Sequence, residues 1–290
     1  MQNLGHWPLA ARRAITGVLT DIDDTLTSAG AITSDALAAL HALKAAGLPV
    51  IAITGRPVGW SEPFALAWPI EAIVAENGAV ALFRSAVRPE MPCISDQITL
   101  KPNTDGRRQL SKLYQQSEPV RRENFARMQQ VAARVLREVP GAQLARDSAG
   151  RETDIAIDHS EFTALAGEQI AQTLQIMRSE GLNATVSSIH INGWFGAHNK
   201  WQGARWAVRE LLARDLDAES SQWVFIGDST NDELMFEALP NSVGVANVRR
   251  FEAQLTHLPR YITQAERGAG FAEVARALLA ARDLIGLTVI

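Results

Sequence analysis

Two short apolar runs separated by a helical pattern lie near the start of the chain and fix much of what it can fold into. The runs are ITGVLT (15–20) and LPVIAIT (48–54), both rich in β-branched residues, as strands covered on both faces are. Between them, SDALAALHALKAAG carries leucines at helical spacing, with Ser34 as the predicted N-cap and Gly47 as the C-terminal cap. A strand, a helix and a strand of this length predict a right-handed βαβ unit, which brings the carboxyl ends of both strands to one edge of a sheet.

The next segment continues this pattern and then departs from it. The run IEAIVAE predicts a third strand, and Asn77-Gly78 predicts a tight turn after it. From residue 84 to about residue 118 we expect irregular structure, because four prolines interrupt any longer periodicity. These prolines are Pro89, Pro92, Pro102 and Pro119.

A different pattern of predicted helices and strands follows the prolines. The pattern predicts a long amphipathic helix at 120–139, a strand at 152–159, a helix at 161–179 and a strand at 184–191. Both strands alternate polar and apolar residues, which predicts a sheet with one exposed face. This segment therefore forms an α+β region of its own.

The pattern of short apolar strands alternating with helices, seen at the start of the chain, returns near residue 195. A helical pattern begins at Asn199, the buried runs QWVFIG and SVGVA predict two more strands, and two closing helices are expected. The fold class we predict is α/β, a Rossmann-like parallel-sheet core with an inserted α+β domain. The core is assigned to residues 1–83 and 191–290, and the inserted domain to residues 84–190.

Composition excludes several functional classes. The chain has 290 residues, of which 47% are hydrophobic and 21% charged, enough for a packed core. No run approaches the roughly 18 apolar residues of a membrane span, and the first residues lack the pattern of a secretory signal. Cys93 is the single cysteine, so an intrachain disulfide is impossible and redox chemistry is not expected. We therefore expect a cytoplasmic protein with no membrane partner.

The charge distribution does not predict a nucleic-acid partner. The formal net charge is −4, and the 28 basic residues form no block that would neutralise the phosphates of a nucleic acid. The pairs Arg107-Arg108 and Arg121-Arg122 could contact an anionic substrate, but a solvated helix face is the simpler interpretation.

Carboxylates follow two of the predicted strands. Asp21 and Asp23 come directly after the first strand, and FIGDSTND places Asp228, Asn231 and Asp232 after a later one. Like charges this close require either a bound proton or a cation between them. A turn or capping cluster is the alternative for the first pair alone. Two acidic strand ends at one edge favour a cation with oxygen ligands, Mg²⁺ before Ca²⁺.

Sequence motifs of several other functional classes are absent or incomplete. The stretch DIDDTLTSAGAI does not form an EF-hand loop, because Thr25, Leu26 and Ile32 occupy positions that need other residues. No GxSxG elbow, Walker phosphate loop or GxGxxG stretch after a strand is present. Serine hydrolase, P-loop and dinucleotide-binding functions therefore lack their markers.

Four motifs carry a family resemblance. DIDDT, ITGR, the isolated NK and GDSTND, in that order, resemble the motifs of the haloacid dehalogenase (HAD) superfamily of aspartate-nucleophile phosphatases. The resemblance covers about residues 15–83 and 195–260. It implies that Asp21 is the nucleophile and that Asp23 acts first as general acid and then as general base. An acid at position 23 also implies a phosphate monoester substrate, whose leaving group needs a proton.

The same resemblance implies the remaining core roles. Thr54 and Lys200 would hold the phosphoryl oxygens, although a strand residue and a solvated helix terminus are their ordinary alternatives. Mg²⁺ would be bound by the Asp21 carboxylate, the Asp23 backbone carbonyl and Asp228. Asn231 would orient phosphate, water or Lys200, and Asp232 would serve in the same way or within the metal site. The predicted metal set is Asp21, Asp23, Asp228 and Asp232.

The position of the insert resembles that of one subfamily. Too few residues separate Leu26 from Gly55 for a domain, whereas residues 55–199 leave ample room. This resembles the C2 cap arrangement of subfamily IIB, shared with sucrose-phosphate, trehalose-phosphate and mannosyl-3-phosphoglycerate phosphatases and Cof-type hydrolases. It implies a C2B-type cap.

Candidate residues for reading the rest of the substrate lie at predicted strand ends and loops: Gly55, Arg56, Asn77, Asp158, His159, Ser188, His190, Asn192 and Trp194. His190 could instead be a core histidine, Trp194 hinge packing, and Asp158 or Ser160 a helix cap.

The predicted function is a Mg²⁺-dependent phosphomonoesterase acting on a phosphorylated sugar or similar small metabolite. Two alternatives remain open, a phosphotransferase or sugar phosphomutase and a non-catalytic metabolite sensor.

Overall fold

A computed structural model describes residues 1–85, 98–100 and 109–283. In chain order its strands are β1 (Gln2–Asn3), β2 (Gly17–Thr20), β3 (Thr27–Ser28), β4 (Ala31–Ile32), β5 (Val50–Ile53), β6 (Ala72–Ala75), β7 (Val80–Ser85), β8 (Ile98–Leu100), β9 (Gln109–Tyr114), β10 (Gln143–Leu144), β11 (Ile155–Asp158), β12 (Asn183–Val186), β13 (His190–Trp194), β14 (Trp223–Gly227), β15 (Ser242–Gly244) and β16 (Tyr261–Ile262). Its α-helices are α1 (Leu9–Ala14), α2 (Ser34–Ala45), α3 (Val58–Ala67), α4 (Glu118–Glu138), α5 (Gly167–Ser179), α6 (Lys200–Leu212), α7 (Glu233–Ala238) and α8 (Arg267–Asp283).

The described residues form two compact units. The first unit contains Met1–Thr54, Ala67–Ile73 and the residues from Lys200 onward, and the second contains Gly55–Leu66 and the residues from Val74 to Asn199. The boundaries fall within α3 and β6. The predicted domain limits stay a prediction, because compactness alone does not define independently folding domains.

A parallel sheet organises the first unit. Its strands lie in the order β1, β16, β15, β14, β2 and β5, and every neighbouring pair is parallel. All residues of β2, β5 and β14 are buried, as their continuous apolar runs predict. Helix α2 packs against α8 beside this sheet. The predicted α/β class with a parallel sheet is confirmed.

Two antiparallel sheet segments organise the second unit. Strands β10, β11, β13 and β12 form one sheet in that order, and β9 pairs with both β7 and β8. Helices α4 and α5 cover the four-stranded sheet with an apolar cluster that includes Met128, Val135, Ile157, Met177 and Ile191. Each fully buried side chain of this kind stabilises the fold by about 2 kcal/mol.

Helix α2 shows how local residues set the boundaries of an element. Thr33, rather than the predicted Ser34, is the N-cap, because its Oγ1 accepts a hydrogen bond from the Ala36 backbone N–H at 3.2 Å. Gly47 follows the helix with φ +71°, which confirms its predicted role as the C-terminal cap. The short hairpin β3–β4 before the helix was not predicted.

Two elements of the second unit differ from the sequence predictions. Helix α5 begins at Gly167 rather than near residue 161, because the Asp158 carboxylate holds residues 160–162 in a capped loop. The strand predicted at 184–191 is two strands, since Ser187 Oγ accepts from the backbone N–H groups of Ile189 and His190 and closes a turn.

The predicted exposed face of the four-stranded sheet is also wrong in part. Every residue of β11 and β13 is buried. Polar side chains on these strands hydrogen-bond to other residues of the second unit instead of water, as described below for His190 and Asn192.

The proline-interrupted segment and the C-terminal region also differ from prediction. Residues 109–114 form β9 instead of irregular structure. The predictions at Pro89, Pro92, Cys93, Pro102 and the Arg107-Arg108 pair lie outside the described residues. In place of two closing helices, a 3-10 segment at Ala246–Gln254 precedes β16 and α8.

Within the described part of the chain, we find no helix with the length and apolar character needed to cross a bilayer.

Candidate active site

Two neighbouring parallel strands bring their acidic residues together. Strand β2 pairs with β14 so that Thr20 lies opposite Ile226, and the Asp21 backbone N–H donates to the Ile226 carbonyl at 2.8 Å. Asp21 therefore follows one strand where Asp228 follows the other. Both side chains are buried, at 4% and 1% exposure.

Lys200 joins this acidic group from the first position of α6. Its Nζ donates to Asp21 Oδ1 at 2.5 Å, to Asp232 Oδ1 at 2.6 Å and to Asn231 Oδ1 at 3.2 Å. The residue is buried, so it is not a solvated helix terminus. Burial alone would lower the pKa of Lys200, but the charges of Asp21 and Asp232 outweigh this and raise it. Lys200 is therefore a fixed cation beside Asp21.

The carboxylates remain under-neutralised despite this lysine. Burial, assisted by the charges of Asp232 and Asp23, raises the pKa of Asp21 to about 8, and Lys200 only partly opposes the shift. Burial and the charges of Asp21 and Asp232 likewise raise the pKa of Asp228. Full ionisation of this cluster requires additional positive charge.

The donor atoms fit a divalent cation that prefers oxygen ligands. Asp21, Asp228 and Asp232 each offer a carboxylate oxygen within 4.8 Å of the others. Among the described residues, Asp228 Oδ1 is buried without a hydrogen-bond partner, an arrangement that is costly unless a ligand such as a cation satisfies it. This orphaned oxygen is the observation that most directly supports a metal site.

Asp232 differs from the other two acids because both of its oxygens are engaged. Oδ1 accepts from Lys200, and Oδ2 accepts from the backbone N–H groups of Asp228 and Ser229 at 2.9 and 3.2 Å. A side chain at Gly227 would collide with this carboxylate, so glycine is required there. These contacts suit the expected orienting role of Asp232, and its place in the metal set stays a prediction.

Asp23 and Thr54 lie beside the buried group. Thr54 is fully buried after β5, and its Oγ1 is 3.5 Å from Asp23 Oδ2. Asp23 is less buried than Asp21. A partly exposed carboxyl suits the exchange of protons with a leaving group and with water.

Sequence reasoning missed Asn247, which follows a third parallel strand of the same sheet. Asn247 is 2% exposed and lies just beyond β15, and its Nδ2 donates to Asp228 Oδ2 at 3.0 Å. The signal was available, because SVGVA was predicted as a strand and Asn247 is the first side-chain amide after it.

A second charged cluster lies within the second unit. Arg56 donates to Asp147 Oδ2 at 3.2 Å and to Glu161 Oε1 at 2.8 Å. The other oxygen of Glu161 lies 2.8 Å from His190 Nε2. Burial acts to raise the pKa of Glu161, but the bonds from His190 and Arg56 outweigh it and lower the pKa to about 2. This cluster is therefore well compensated.

Arg151 extends this cluster into the interior of the second unit. Its Nη1 contacts both oxygens of Asp154, at 2.8 and 2.9 Å, and donates to the Gly55 carbonyl at 3.0 Å. Asp154 Oδ2 also accepts from Asn192 at 3.0 Å and Asn77 at 3.4 Å. The structure thus brings together the predicted residues Gly55, Asn77 and Asn192, around an ion pair that the sequence did not reveal.

Other candidates have structural partners. Both oxygens of Asp158 accept from backbone N–H groups, which is the capping alternative. His159 Nε2 lies 2.9 Å from the Ser187 carbonyl, and the Ser188 carbonyl accepts from Ser160 Oγ at 2.6 Å. Trp194 packs in the apolar cluster and donates to the His198 carbonyl, as hinge packing predicts. Roles for these residues in substrate binding stay predictions.

Comparisons with known proteins agree with this architecture. A phosphoglycolate phosphatase of Methanothermobacter thermautotrophicus is 25% identical over 265 residues, covering 89% of this chain and 96% of that protein. A solved structure from Thermoplasma acidophilum aligns with a TM-score of 0.62 at 17% identity, over 91% of this chain and 98% of that one. The sucrose-phosphatase of Synechocystis, in complex with sucrose and phosphate, aligns with a TM-score of 0.61 at 15% identity, over 92% and 98%.

A family model described as haloacid dehalogenase-like hydrolase matches residues 18–91. The match starts within β2, three residues before Asp21, and extends past Thr54. The later motifs, at Lys200 and Asp228, lie against Asp21 and around the same buried group. Sequence match, motif order and strand-end geometry therefore agree in their similarity to haloacid dehalogenase-like hydrolases.

Proposed function

We propose that this protein is a Mg²⁺-dependent phosphomonoesterase that hydrolyses a phosphorylated sugar or similar small metabolite through an aspartyl-phosphate on Asp21. The observation that carries the proposal is the buried Lys200 Nζ, 2.5 Å from Asp21 Oδ1, in an acidic group where Asp228 Oδ1 has no hydrogen-bond partner among the described residues. An anionic nucleophile can approach an anionic phosphate only where positive charge is already fixed.

The first half-reaction transfers the phosphoryl group to the protein. A carboxylate oxygen of Asp21 attacks phosphorus, and the bond between phosphorus and the leaving oxygen breaks. Asp23 gives its proton to that oxygen, so the product leaves as a neutral alcohol. Lys200 and the Thr54 hydroxyl would hold the non-bridging phosphoryl oxygens, and Asn231 and Asp232 would keep Lys200 in place.

The second half-reaction returns the protein to its starting state. Asp23, now a carboxylate, takes a proton from a water molecule, whose oxygen attacks phosphorus. The bond between phosphorus and the Asp21 oxygen breaks, which releases inorganic phosphate and the free Asp21 carboxylate.

The carboxylates explain why a cation is part of the proposal. Because burial raises the pKa of Asp21, the ionised and nucleophilic form of its carboxylate is disfavoured unless positive charge is added. Mg²⁺ held by the Asp21 carboxylate, the Asp23 backbone carbonyl and Asp228 would favour the ionised forms and neutralise charge on the phosphate.

The partly exposed carboxylates of the second unit favour the proposal of a hydroxyl-rich substrate. In its charged cluster the carboxylates of Asp147 and Glu161 are the most exposed members, at 15% and 19%, whereas the side chains of Arg56, Arg151 and Asp154 are 6%, 1% and 0% exposed. Hydroxyl groups can donate to these carboxylates, but a substrate carboxylate would be repelled. We therefore favour a sugar-like leaving group over a carboxylated one such as glycolate.

We retain the predicted substrate-binding residues as part of this proposal: Thr54, Gly55, Arg56, Asn77, Asp158, Ser188, His190, Lys200 and Asn231. Arg56 and His190 would act through Glu161, with which both form close contacts.

Phosphate release from an aryl phosphate, with and without Mg²⁺, tests the proposal. We expect Mg²⁺-dependent turnover, and a panel of phosphorylated metabolites would then rank sugar phosphates above phosphoglycolate. Isotopically labelled water should label the released phosphate. Turnover without such labelling would indicate transfer to another acceptor, and no turnover of any phosphate ester would reject the proposal.

A further inference from the structure

The side-chain amide of Asn247 uses all its hydrogen-bonding groups within the first unit. Its Nδ2 donates to Asp228 Oδ2 and to the Asp24 carbonyl, both at 3.0 Å. Its Oδ1 accepts from the Arg267 backbone N–H at 3.0 Å. A planar amide held at three points has a fixed orientation, so Asn247 is a rigid support for whatever it contacts.

The contact with Asp228 separates the two oxygens of that carboxylate. Oδ2 is held by Asn247, while Oδ1 is buried without a hydrogen-bond partner in the described part of the chain. A carboxylate anchored through one oxygen cannot rotate freely about its terminal torsion. The free oxygen is therefore presented in a constant direction, as groups that orient metal ligands through hydrogen bonds do.

The same amide also links the loop of Asp23 to the loop of Asp228. Asp24, the next residue after Asp23, has a left-handed backbone with φ 53°, and Arg267 has φ 55°. Such conformations are uncommon for residues other than glycine, although aspartate adopts them more readily than arginine, and surrounding contacts help to hold them. Arg267 Nε forms an ion pair with Asp24 Oδ1 at 3.0 Å, and Arg267 Nη1 donates to Ser28 Oγ at 3.1 Å. Asn247 lies between these two constrained segments.

A second buried asparagine of the first unit provides a matched comparison. Asn241 is 6% exposed, donates through Nδ2 to the Ser221 carbonyl at 2.8 Å, and accepts at Oδ1 from Trp7 Nε1 at 3.2 Å. Its hydrogen bonds resemble those of Asn247, but none of them reaches an acidic side chain. Truncating either asparagine leaves buried polar groups unpaired, so both changes destabilise the fold.

We propose that Asn247 is a positioning residue for the metal site, holding Asp228 so that Oδ1 faces the divalent cation and fixing the adjacent Asp24 carbonyl. This inference rests on the cation of the proposed function and assigns Asn247 no contact with the substrate. It predicts that loss of the amide weakens cation binding rather than the chemical step.

Calorimetric titration of Mg²⁺ into the substrate-free protein tests this role without relying on activity. Asn247→Ala should raise the Mg²⁺ dissociation constant by about tenfold or more, as loss of groups that orient metal ligands does. Asn241→Ala should leave it within about twofold while lowering thermal stability to a similar extent. At saturating Mg²⁺, kcat of Asn247→Ala should recover most of the wild-type value.

Asn247→Ser keeps a shorter hydroxyl donor and should give an intermediate Mg²⁺ dissociation constant. It also decides the question if the alanine variant does not fold. The inference is overturned if neither Asn247 variant changes Mg²⁺ affinity, if Asn241→Ala weakens it equally, or if wild type binds no Mg²⁺. Failure of the phosphatase proposal is a separate result, in which wild type binds Mg²⁺ but hydrolyses no phosphate ester.

Discussion

The two units each bury a cluster of carboxylates, but they treat the negative charge in opposite ways. In the first unit, Asp21 and Asp232 share Lys200, and Asp228 forms no salt bridge within the described residues. Burial there raises the pKa of Asp21 to about 8. This cluster favours protonation in the absence of a cation, so it is prepared to bind one.

In the second unit, every carboxylate of the cluster contacts a guanidinium group. Arg56 contacts Asp147 and Glu161, and Arg151 contacts Asp147 and Asp154. Although burial opposes it, pairing with His190 and Arg56 lowers the pKa of Glu161 to about 2. Burial raises the pKa of Asp154 although Arg151 opposes the shift, but the pairing of every carboxylate with a guanidinium group lets this cluster hold its shape without an added ion.

The difference distinguishes a charged cluster suited to binding a ligand from one that maintains the fold. Charge left uncompensated in the interior has a free-energy cost that a ligand can relieve, whereas charge compensated by the protein fixes the positions of the residues. Neutralising a carboxylate should therefore harm activity in the first unit, and removing a cation should harm stability in the second.

The largest effect is expected for Asp21→Asn. An amide cannot attack phosphorus, and loss of a covalent nucleophile lowers kcat by about ten-thousandfold or more. Stability should stay unchanged or rise, because repulsion from Asp23 and Asp232 is removed while Lys200 keeps its bond to Asp232. Aryl phosphate turnover and thermal unfolding measure the two quantities. Near-normal turnover would exclude Asp21 as the nucleophile.

Arg151→Met should produce the opposite pattern, a large loss of stability. The change leaves the fully buried Asp154 without its guanidinium partner, and breaking a buried ion pair in this way costs about 3–5 kcal/mol. Urea unfolding measures the loss. Arg134→Met is the matched control, since Arg134 pairs with Glu138 and Glu180 at the exposed surface of the same unit and should matter little. Equal effects of the two changes would contradict the comparison.

A pH dependence of stability should arise from Glu76 in the second unit. Burial and the charge of Asp154 raise the pKa of Glu76 to about 7 from its ordinary 4.5, although Thr153, Val58 and Arg151 oppose the shift. A raised pKa contributes stability that is complete below pH 4.5 and lost as pH rises to about 7. The loss is about 3 kcal/mol.

Urea unfolding of wild type and Glu76→Gln across this pH range isolates the contribution of Glu76. The glutamine variant cannot titrate, so its stability should fall less between about pH 4.5 and pH 7. Its absolute stability should be lower throughout, because Glu76 accepts bonds from Val58, Glu152 and Thr153. Parallel curves for the two proteins would show that Glu76 is ionised across the whole range.

Strand ends were the predictable part of the site, because their position follows from chain topology. A βαβ unit forces Asp21 and Thr54 to one edge, and the repeated acidic strand end brought Asp228 into the same prediction. Asn247 also follows a strand of this sheet, but it carries no charge and is therefore harder to recognise as a site residue from the sequence alone.

The second cluster could not be predicted in the same way. Arg56 and Glu161 are separated by 105 positions, and no periodicity relates them. Arg151 and Asp154 are close in sequence, yet their shared burial depends on Asn192 and Gly55 from other segments. Side-chain contacts also set element boundaries that the sequence pattern does not show. The Asp158 carboxylate accepts backbone hydrogen bonds from the loop that follows it, so α5 begins later than predicted. Contacts of this kind depend on tertiary packing, which a local pattern does not encode.

The smallest effect is expected for Glu161→Gln, and it concerns substrate choice. The change removes the partly exposed negative charge that pairs with Arg56, so the guanidinium group becomes available to a substrate carboxylate. The ratio of kcat/KM for phosphoglycolate to that for a sugar phosphate should rise by about tenfold, equivalent to about 1.4 kcal/mol.

The matched control for this change is Glu168→Gln at the exposed start of α5, which alters the net charge of the second unit equally but should leave the ratio unchanged. A rise in the ratio with both variants would indicate a general field effect. A wild-type preference for phosphoglycolate, undiminished by either change, would mean that a substrate carboxylate displaces Glu161 from Arg56. The cluster around Arg56 would then bind substrate rather than only stabilise the fold. This outcome would contradict the proposed difference between the two units.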